Sequence, residues 1–284
     1  MAMYTWWLLL SLLLSAGCFA QDSKQPSRII ALAPHIVENL YAIGAGDKIV
    51  GTVEYADYPE AANRIPRIGG YHGIQLEKVL ALAPDLVIVW KNGNKEADIE
   101  KLKSLGIPIA YSVSKDIRRV PTELIKLGEL TGHKAQAEQL ANKFNQRYQQ
   151  IIKQFQGKAS LDVFYQLWPS PLMTTNGKTW IHQTLNMCGV RNVFAEAATE
   201  YPQISLENVI AKHPQVIIIP NEKAAKQPQQ VQWQKWTEIP AVKHGQYIEV
   251  DADLLHRFST RMLEGVQDMC DKLHASRKYY GKRL

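Results

Sequence analysis

The apolar positions of this chain follow two periods. Between residues 133 and 157 the sequence HKAQAEQLANKFNQRYQQIIKQFQG places Ala137, Leu140, Phe144, Tyr148, Ile151 and Phe155 at spacings of three and four, bracketed by Gly132 and Gly157. That spacing puts all six on one face of a helix, about 35 Å long at roughly 1.5 Å per residue. On both sides of it, short continuous apolar runs alternate with amphipathic segments. The pattern predicts strands over residues 28–32, 48–53, 85–89 and 107–113, and helices over 34–44, 75–82, 97–105 and 119–130. Beyond the long helix it predicts strands over 161–167, 215–219 and 247–250. Helices are expected there over 179–188, 205–212, 231–236 and 261–274. Unbroken runs such as DLVIV mark strands buried on both faces, as in parallel sheets, and βα alternation argues for an α/β fold.

Two of these segments repeat. Residues 76–90 read LEKVLALAPDLVIVW and residues 206–220 read LENVIAKHPQVIIIP. They align without a gap, pairing Leu76 with Leu206, Glu77 with Glu207, Val79 with Val209, Pro84 with Pro214 and Ile88 with Ile218. Helix–Pro–strand units are common, so a chance match is one explanation. Their placement on either side of the long helix favours two related α/β lobes, residues 28–131 and 158–284, joined by a linking helix over 132–157.

Length and charge narrow the class. The chain has 284 residues, 46% of them hydrophobic, enough for two modest domains. Its net charge of +6 is scattered, with no nucleic-acid module. The densest basic run, residues 277–283, reads as a solvated end. The first twenty residues, MAMYTWWLLLSLLLSAGCFA, carry no charge and a short apolar run, as expected of a secretory signal cleaved near Ala20. SAGC loosely matches a lipoprotein box, so a lipid on Cys18 is the alternative to release into the periplasm. No later segment is apolar enough for membrane insertion. Export leaves Cys188 and Cys270, which either pair or stay as two buried thiols. A bridge would contribute roughly 4–5 kcal/mol in the chain-entropy model.

Ligands of open α/β sheets bind beyond the carboxyl ends of the strands. The chain places Tyr55, Tyr58, Trp90, Trp168 and an Asp251-Ala252-Asp253 turn there, with Tyr71 and Tyr201 in loops before the repeated helices. Large rings with a polar tip suit a bulky, partly apolar ligand, and Asp253 and Arg257 could bond its polar edge. Packing of loops onto the lobes is the competing role for each ring. GxSxG, P-loop and GxGxxG signatures are absent from the sequence. His35 and Glu38 at helical spacing read as structural, and no metal ligand set is nominated. The residues alone point to an exported two-lobed binding protein.

RIIALAPHIVENLYAIG, VEYADYP, LEKVLALAPDLVIVWKNGN, YPQISLENVIAKHPQVIII and ADLLHRFSTR, taken in order, resemble the periplasmic cobalamin-binding proteins of ABC importers. These belong to class III, whose two Rossmann-like lobes are joined by one long helix. The resemblance spans the mature chain. It implies a corrin contact at Tyr55, a cleft ring at Trp90 and a second contact segment at Asp253, Leu254, Leu255, His256 and Arg257. The middle three of those depart from the family pattern. Tyr71 and Tyr201 stand where relatives often carry Trp, and Trp168 lies in a loop of differing length. It also implies a Cys188–Cys270 disulfide. Glu77 and Glu207 would dock onto the two subunits of a two-fold permease served by ATPase subunits. Cobalamin would be cargo rather than cofactor. The free protein is expected to be a monomer without catalysis, with a linking helix that permits only small closure. A haem or iron–siderophore receptor of the same architecture, with Tyr71 or His72 as axial ligand, is the alternative. An exported two-lobed hydrolase is a third class.

Overall fold

A computed structural model describes residues 25–91, 93–113, 115–221 and 231–282. The expected signal and Cys18 lie outside them. The first lobe runs β1 (Ile29–Ala31), α1 (Pro34–Ala42), β2 (Ile49–Thr52), β3 (Gly69–Gly70), β4 (Gly73–Ile74), α2 (Leu76–Ala81), β5 (Leu86–Trp90), α3 (Glu96–Ser104), β6 (Ile109–Ser112) and α4 (Val120–Thr131). Helix α5 (Lys134–Phe155) follows. The second lobe runs β7 (Asp162–Tyr165), β8 (Trp168–Pro169), β9 (Leu172–Met173), α6 (Trp180–Met187), β10 (Arg191–Asn192), α7 (Leu206–Lys212), β11 (Val216–Asn221), α8 (Pro240–Lys243), β12 (Tyr247–Asp251), α9 (Ala252–Leu255) and α10 (Met262–Gly281).

Each lobe is built on a parallel four-stranded sheet, ordered β2-β1-β5-β6 in the first and β10-β7-β11-β12 in the second. The sequence repeat is therefore a repeat in space. Ala83 (φ 41°) and His213 (φ 46°) occupy equivalent left-handed positions. Each precedes a proline, which disfavours the right-handed helical region for the residue before it. One residue past the proline, Asp85 accepts a hydrogen bond from the Arg28 backbone at 3.0 Å, and Gln215 accepts one from the Asp162 backbone at 2.9 Å. Each side chain thereby anchors the start of its lobe's central strand.

Alternation within the strands explains the core. Ile29 and Ala31 face a hydrophobic cluster that continues through α5 into the second lobe, while Ile30 and Leu32 face a separate cluster with Val87, Val89, Val79 and Ile99. On the far side of the second sheet, Phe164, Ile217, Val209 and Trp233 form the counterpart. In α5, Ala137, Phe144, Ile151 and Phe155 are buried and Leu140 and Tyr148 pack beside them. Its 22 residues span about 33 Å, packing on α4 in one lobe and on α6 and α10 in the other. The α4–α5 turn depends on Gly128, where a Cβ would lie 2.5 Å from that of Ala137.

Several expectations change. The strand expected over 161–167 stops at Tyr165, and Trp168 opens a hairpin instead. The segment 231–236 holds a single 3-10 turn, Trp233–Lys235, rather than an α-helix. The expected turn at Asp251 is the end of β12, and the Asp251 side chain caps α9 by accepting from the Leu254 backbone. The basic tail is solvated only in part: α10 runs to Gly281 with Lys278 exposed, but Arg277 is drawn inward. Arg277 is buried, donating to the carbonyls of Ala159 (2.6 Å), Cys188 (2.5 Å) and Gly189 (2.9 Å). Cys188 and Cys270 are bonded, tying the end of α6 to α10 with a Cα separation of 4.9 Å.

Candidate functional site

The carboxyl ends of the two sheets face one cleft. Its larger hollow, about 490 Å³, takes Trp90 from the first lobe and Leu167, Met173, Trp180 and Tyr201 from the second. A volume of this size falls within the roughly 300–1,000 Å³ of small-molecule sites. A smaller hollow of about 150 Å³ lies on the first lobe's side and is lined by Tyr55, Tyr71 and again Trp90. Trp90 thus stands between the two hollows. As the last residue of β5 it is fixed by Asn94, whose side chain accepts from the Trp90 backbone at 2.7 Å and donates to the Leu32 carbonyl at 2.8 Å. His35 supports the ring from behind, edge-on at 5.3 Å. Burial pushes the His35 imidazole down to about 3, so the support is uncharged.

The walls differ in character. Trp180, the first residue of α6, meets Tyr201 at 6.4 Å in an edge-to-face arrangement. Burial first, then the neighbouring Glu200 charge, push the Tyr201 hydroxyl up to about 12, so it remains a donor. Opposite them, Tyr55 is 57% exposed and holds φ 64°. That is a left-handed conformation costly for a bulky residue. Tyr71 is 87% exposed at the tip of the β3–β4 hairpin. The hairpin is anchored from behind by the Asp98 carboxylate, which accepts from the Ile74 backbone at 3.2 Å, and by Lys95, which donates to the His72 carbonyl at 2.6 Å. Trp168 lines neither hollow; its indole N–H donates to the Ser170 carbonyl at 2.9 Å.

Residues 253–257 also lie outside both linings. They bind the lobes together. The Arg257 guanidinium, 8% exposed, reaches Glu38 of α1 at 3.0 Å, Asp57 at 2.7 Å and Asp253 at 2.6 Å. Ser259 donates to Glu38 at 2.6 Å, Arg261 reaches it at 3.2 Å, and Asn39 donates to the Phe258 carbonyl at 3.1 Å. Arg261 also lies 3.5 Å over the Tyr58 ring. Asp253 and Arg257 thus direct their charges at each other and at the first lobe. Leu255 is buried and its carbonyl accepts from the Trp180 indole at 3.4 Å. Leu254 packs against Gly265 of α10, where a Cβ would meet it at 2.8 Å. His256 lies 2.9 Å from the Tyr165 hydroxyl, and burial pushes it down to about 4.

Glu77 and Glu207 stand exposed in the first turns of α2 and α7, at matching positions of the repeat. A backbone hydrogen bond and the Ser205 side chain hold the Glu207 carboxyl below its ordinary range. Among the described residues no group of three or more His, Cys, Asp or Glu is placed to hold a metal ion, and no helix is long and apolar enough to cross a membrane. Sequence reasoning missed Trp180. Its signal was the Thr179 N-cap, which accepts from the His182 backbone and opens a helix at the sheet's carboxyl edge.

Comparison with known proteins accords with this architecture. The periplasmic binding protein family model matches residues 29–254. A vitamin B12-binding protein of Vibrio parahaemolyticus serotype O3:K6 is 32% identical over 251 residues, covering 88% of this chain and 90% of its own. One of Vibrio cholerae serotype O1 is 35% identical over 252 residues, covering 88% and 90%. The crystal structure of the periplasmic vitamin B12 binding protein of Vibrio cholerae superposes with a TM-score of 0.82 at 34% identity, covering 89% of this chain and 99% of that one. A periplasmic heme-binding protein from Roseiflexus sp. RS-1 shares the fold, with a TM-score of 0.79 at 21% identity, covering 88% and 99%. The chain belongs to the periplasmic binding protein family, in the branch of the vitamin B12-binding proteins.

Proposed function

We infer that this protein captures vitamin B12 (cobalamin) in the periplasm, in the cleft between its lobes, and delivers it to an ABC importer. The observation that carries this is the convergence of aromatic side chains from both lobes on Trp90, with Trp180 and Tyr201 on one side and Tyr55 and Tyr71 on the other. Flat apolar walls with a few polar tips suit a macrocycle of corrin size and shape. The reading involves no turnover and no resident cofactor, cobalamin being cargo. Secretion through a leader ending near Ala20 supplies the compartment. Glu77 and Glu207 present one carboxylate per lobe on a pseudo-two-fold molecule. We assign them the docking of a two-fold permease and its ATPase subunits, a match of symmetry between partners.

Calorimetric titration of the mature protein with cyanocobalamin, and in parallel with haemin, tests the reading. One-to-one cobalamin binding with the ligand recovered unchanged is expected. Haemin binding without cobalamin binding would move the function to the haem branch, and conversion of either ligand would return the enzyme reading.

A further inference from the structure

The ion cluster leaves a question of charge. Arg257 and Asp253 were the sequence's candidates for the polar edge of a ligand, and both are engaged between the lobes. The larger hollow has other cations. Lys91 and Lys115 line it from the first lobe and Lys178 from the second, against one carboxylate, Glu200. All three lysines are exposed, and none forms an ion pair with a described carboxylate. Their backbones are fixed. The Lys91 N–H donates to the Ser112 carbonyl at 2.9 Å, continuing the sheet. The Lys115 carbonyl accepts from Gln183 of the second lobe at 3.3 Å, and the Ile117 N–H donates to the same side chain at 2.9 Å. The Lys178 N–H donates to Asn176 at 2.9 Å, just before α6 begins. The positive end of that eight-residue helix, at Trp180, adds to the potential.

An apolar lining edged by three lysines against one carboxylate, with the Lys91 ammonium 6.0 Å from the Tyr111 ring, fits a flat apolar ring with an anionic appendage. Resting on the cobalamin reading above, we propose that Lys91, Lys115 and Lys178 form an anion-recognition rim that takes the phosphodiester of the ligand's pendant nucleotide while the aromatic floor takes the ring. Cobalamin carries one such anion, and its ring side chains are neutral amides. The phosphate is therefore the group a cationic rim distinguishes, and the rim fixes which end of the ligand enters this hollow. Lysine serves here as a mobile point charge rather than a fixed fork.

The test compares cyanocobalamin with dicyanocobinamide, which has the same ring without the nucleotide phosphate. Dissociation constants are measured for the wild type and for K91Q/K115Q/K178Q at two salt concentrations. Three exposed charge contacts predict that the wild-type preference for cobalamin over cobinamide falls about tenfold in the triple variant. The salt dependence of cobalamin binding should weaken with it. Equal changes for both ligands, or a preference that survives intact, would overturn the rim while leaving cobalamin capture standing. A wild type that binds neither corrinoid overturns the cobalamin reading and the rim together.

Discussion

The two lobes carry the same sheet and finish it differently. Strand order, the left-handed residue before proline and the side chain that anchors the central strand all repeat. These features lie at the amino ends of the strands, where packing decides the sequence. At the carboxyl ends the lobes diverge. The first lobe places its hairpin after β2 and raises Tyr71 into solvent, while the second places its hairpin after β7 and lays Leu167 and Met173 into the cleft. Trp180 and Tyr201 are packed before any ligand arrives, whereas Tyr55 and Tyr71 are open. The second lobe alone holds the disulfide and the long C-terminal helix. The second lobe thus offers a preorganised wall, on which less conformational freedom is lost during binding, and the first lobe the adaptable one.

The docking proposed for Glu77 and Glu207 tests the equivalence most strongly. Glu77→Lys with Glu207→Lys should abolish cobalamin uptake in cells lacking the native protein while leaving the calorimetric affinity intact. Either single reversal should cost the same, and unequal single losses would show that the importer distinguishes the lobes. The disulfide tests the difference. Replacing Cys188 and Cys270 with Ser opens a closure of 82 residues. The chain-entropy model gives a loss of about 4–5 kcal/mol, read by denaturant unfolding, and a loss under about 1 kcal/mol would show that α6–α10 packing alone fixes the wall. A further effect is a titration shared by both lobes. His35, facing Trp90, Phe258 and Ser112, and His256, facing Tyr165, are both held neutral by burial. Each is protonated in the unfolded chain below about 6.5 and in the folded protein only near 3 and 4. Stability is therefore full above about pH 6.5 and falls as pH drops, by at most about 1.4 kcal/mol per unit for each histidine. His256→Gln should flatten that slope, and a wild-type stability unchanged from pH 6.5 to 4.5 would remove the assignment.

Much of this fold is legible in the sequence because its elements are long or repeated. The six-residue apolar face of α5 and the helix–Pro–strand units state their periods plainly. The hairpins do not, since strands of two residues such as Gly69–Gly70 and Trp168–Pro169 carry no alternation to read. The end of α10 was hidden by its charge: Arg277 looks like a solvent residue until the carbonyls at the end of α6 are brought to it. In the cleft, Tyr55, Tyr71, Trp90 and Tyr201 could be named because rings at strand ends and loop tips stand out. Trp180 could not, because a ring inside a helical pattern reads as core. The role of Arg257 was invisible for a topological reason, its partner Glu38 being 219 residues away.

That separation fixes an order of assembly. Glu38 is buried in the first lobe, and among the described residues its carboxylate receives its partners from residues 257, 259 and 261, near the end of a 284-residue chain. Until they arrive, the first lobe holds an acid that burial disfavours. The closure that satisfies it spans nearly the whole chain, and contacts of that range come late because their loop entropy must be met first. A chain broken off before Arg257 leaves a first lobe carrying a buried charge without these partners. The charged staple between the lobes is thus also a late contact, closed only after residues 257–261 have been made.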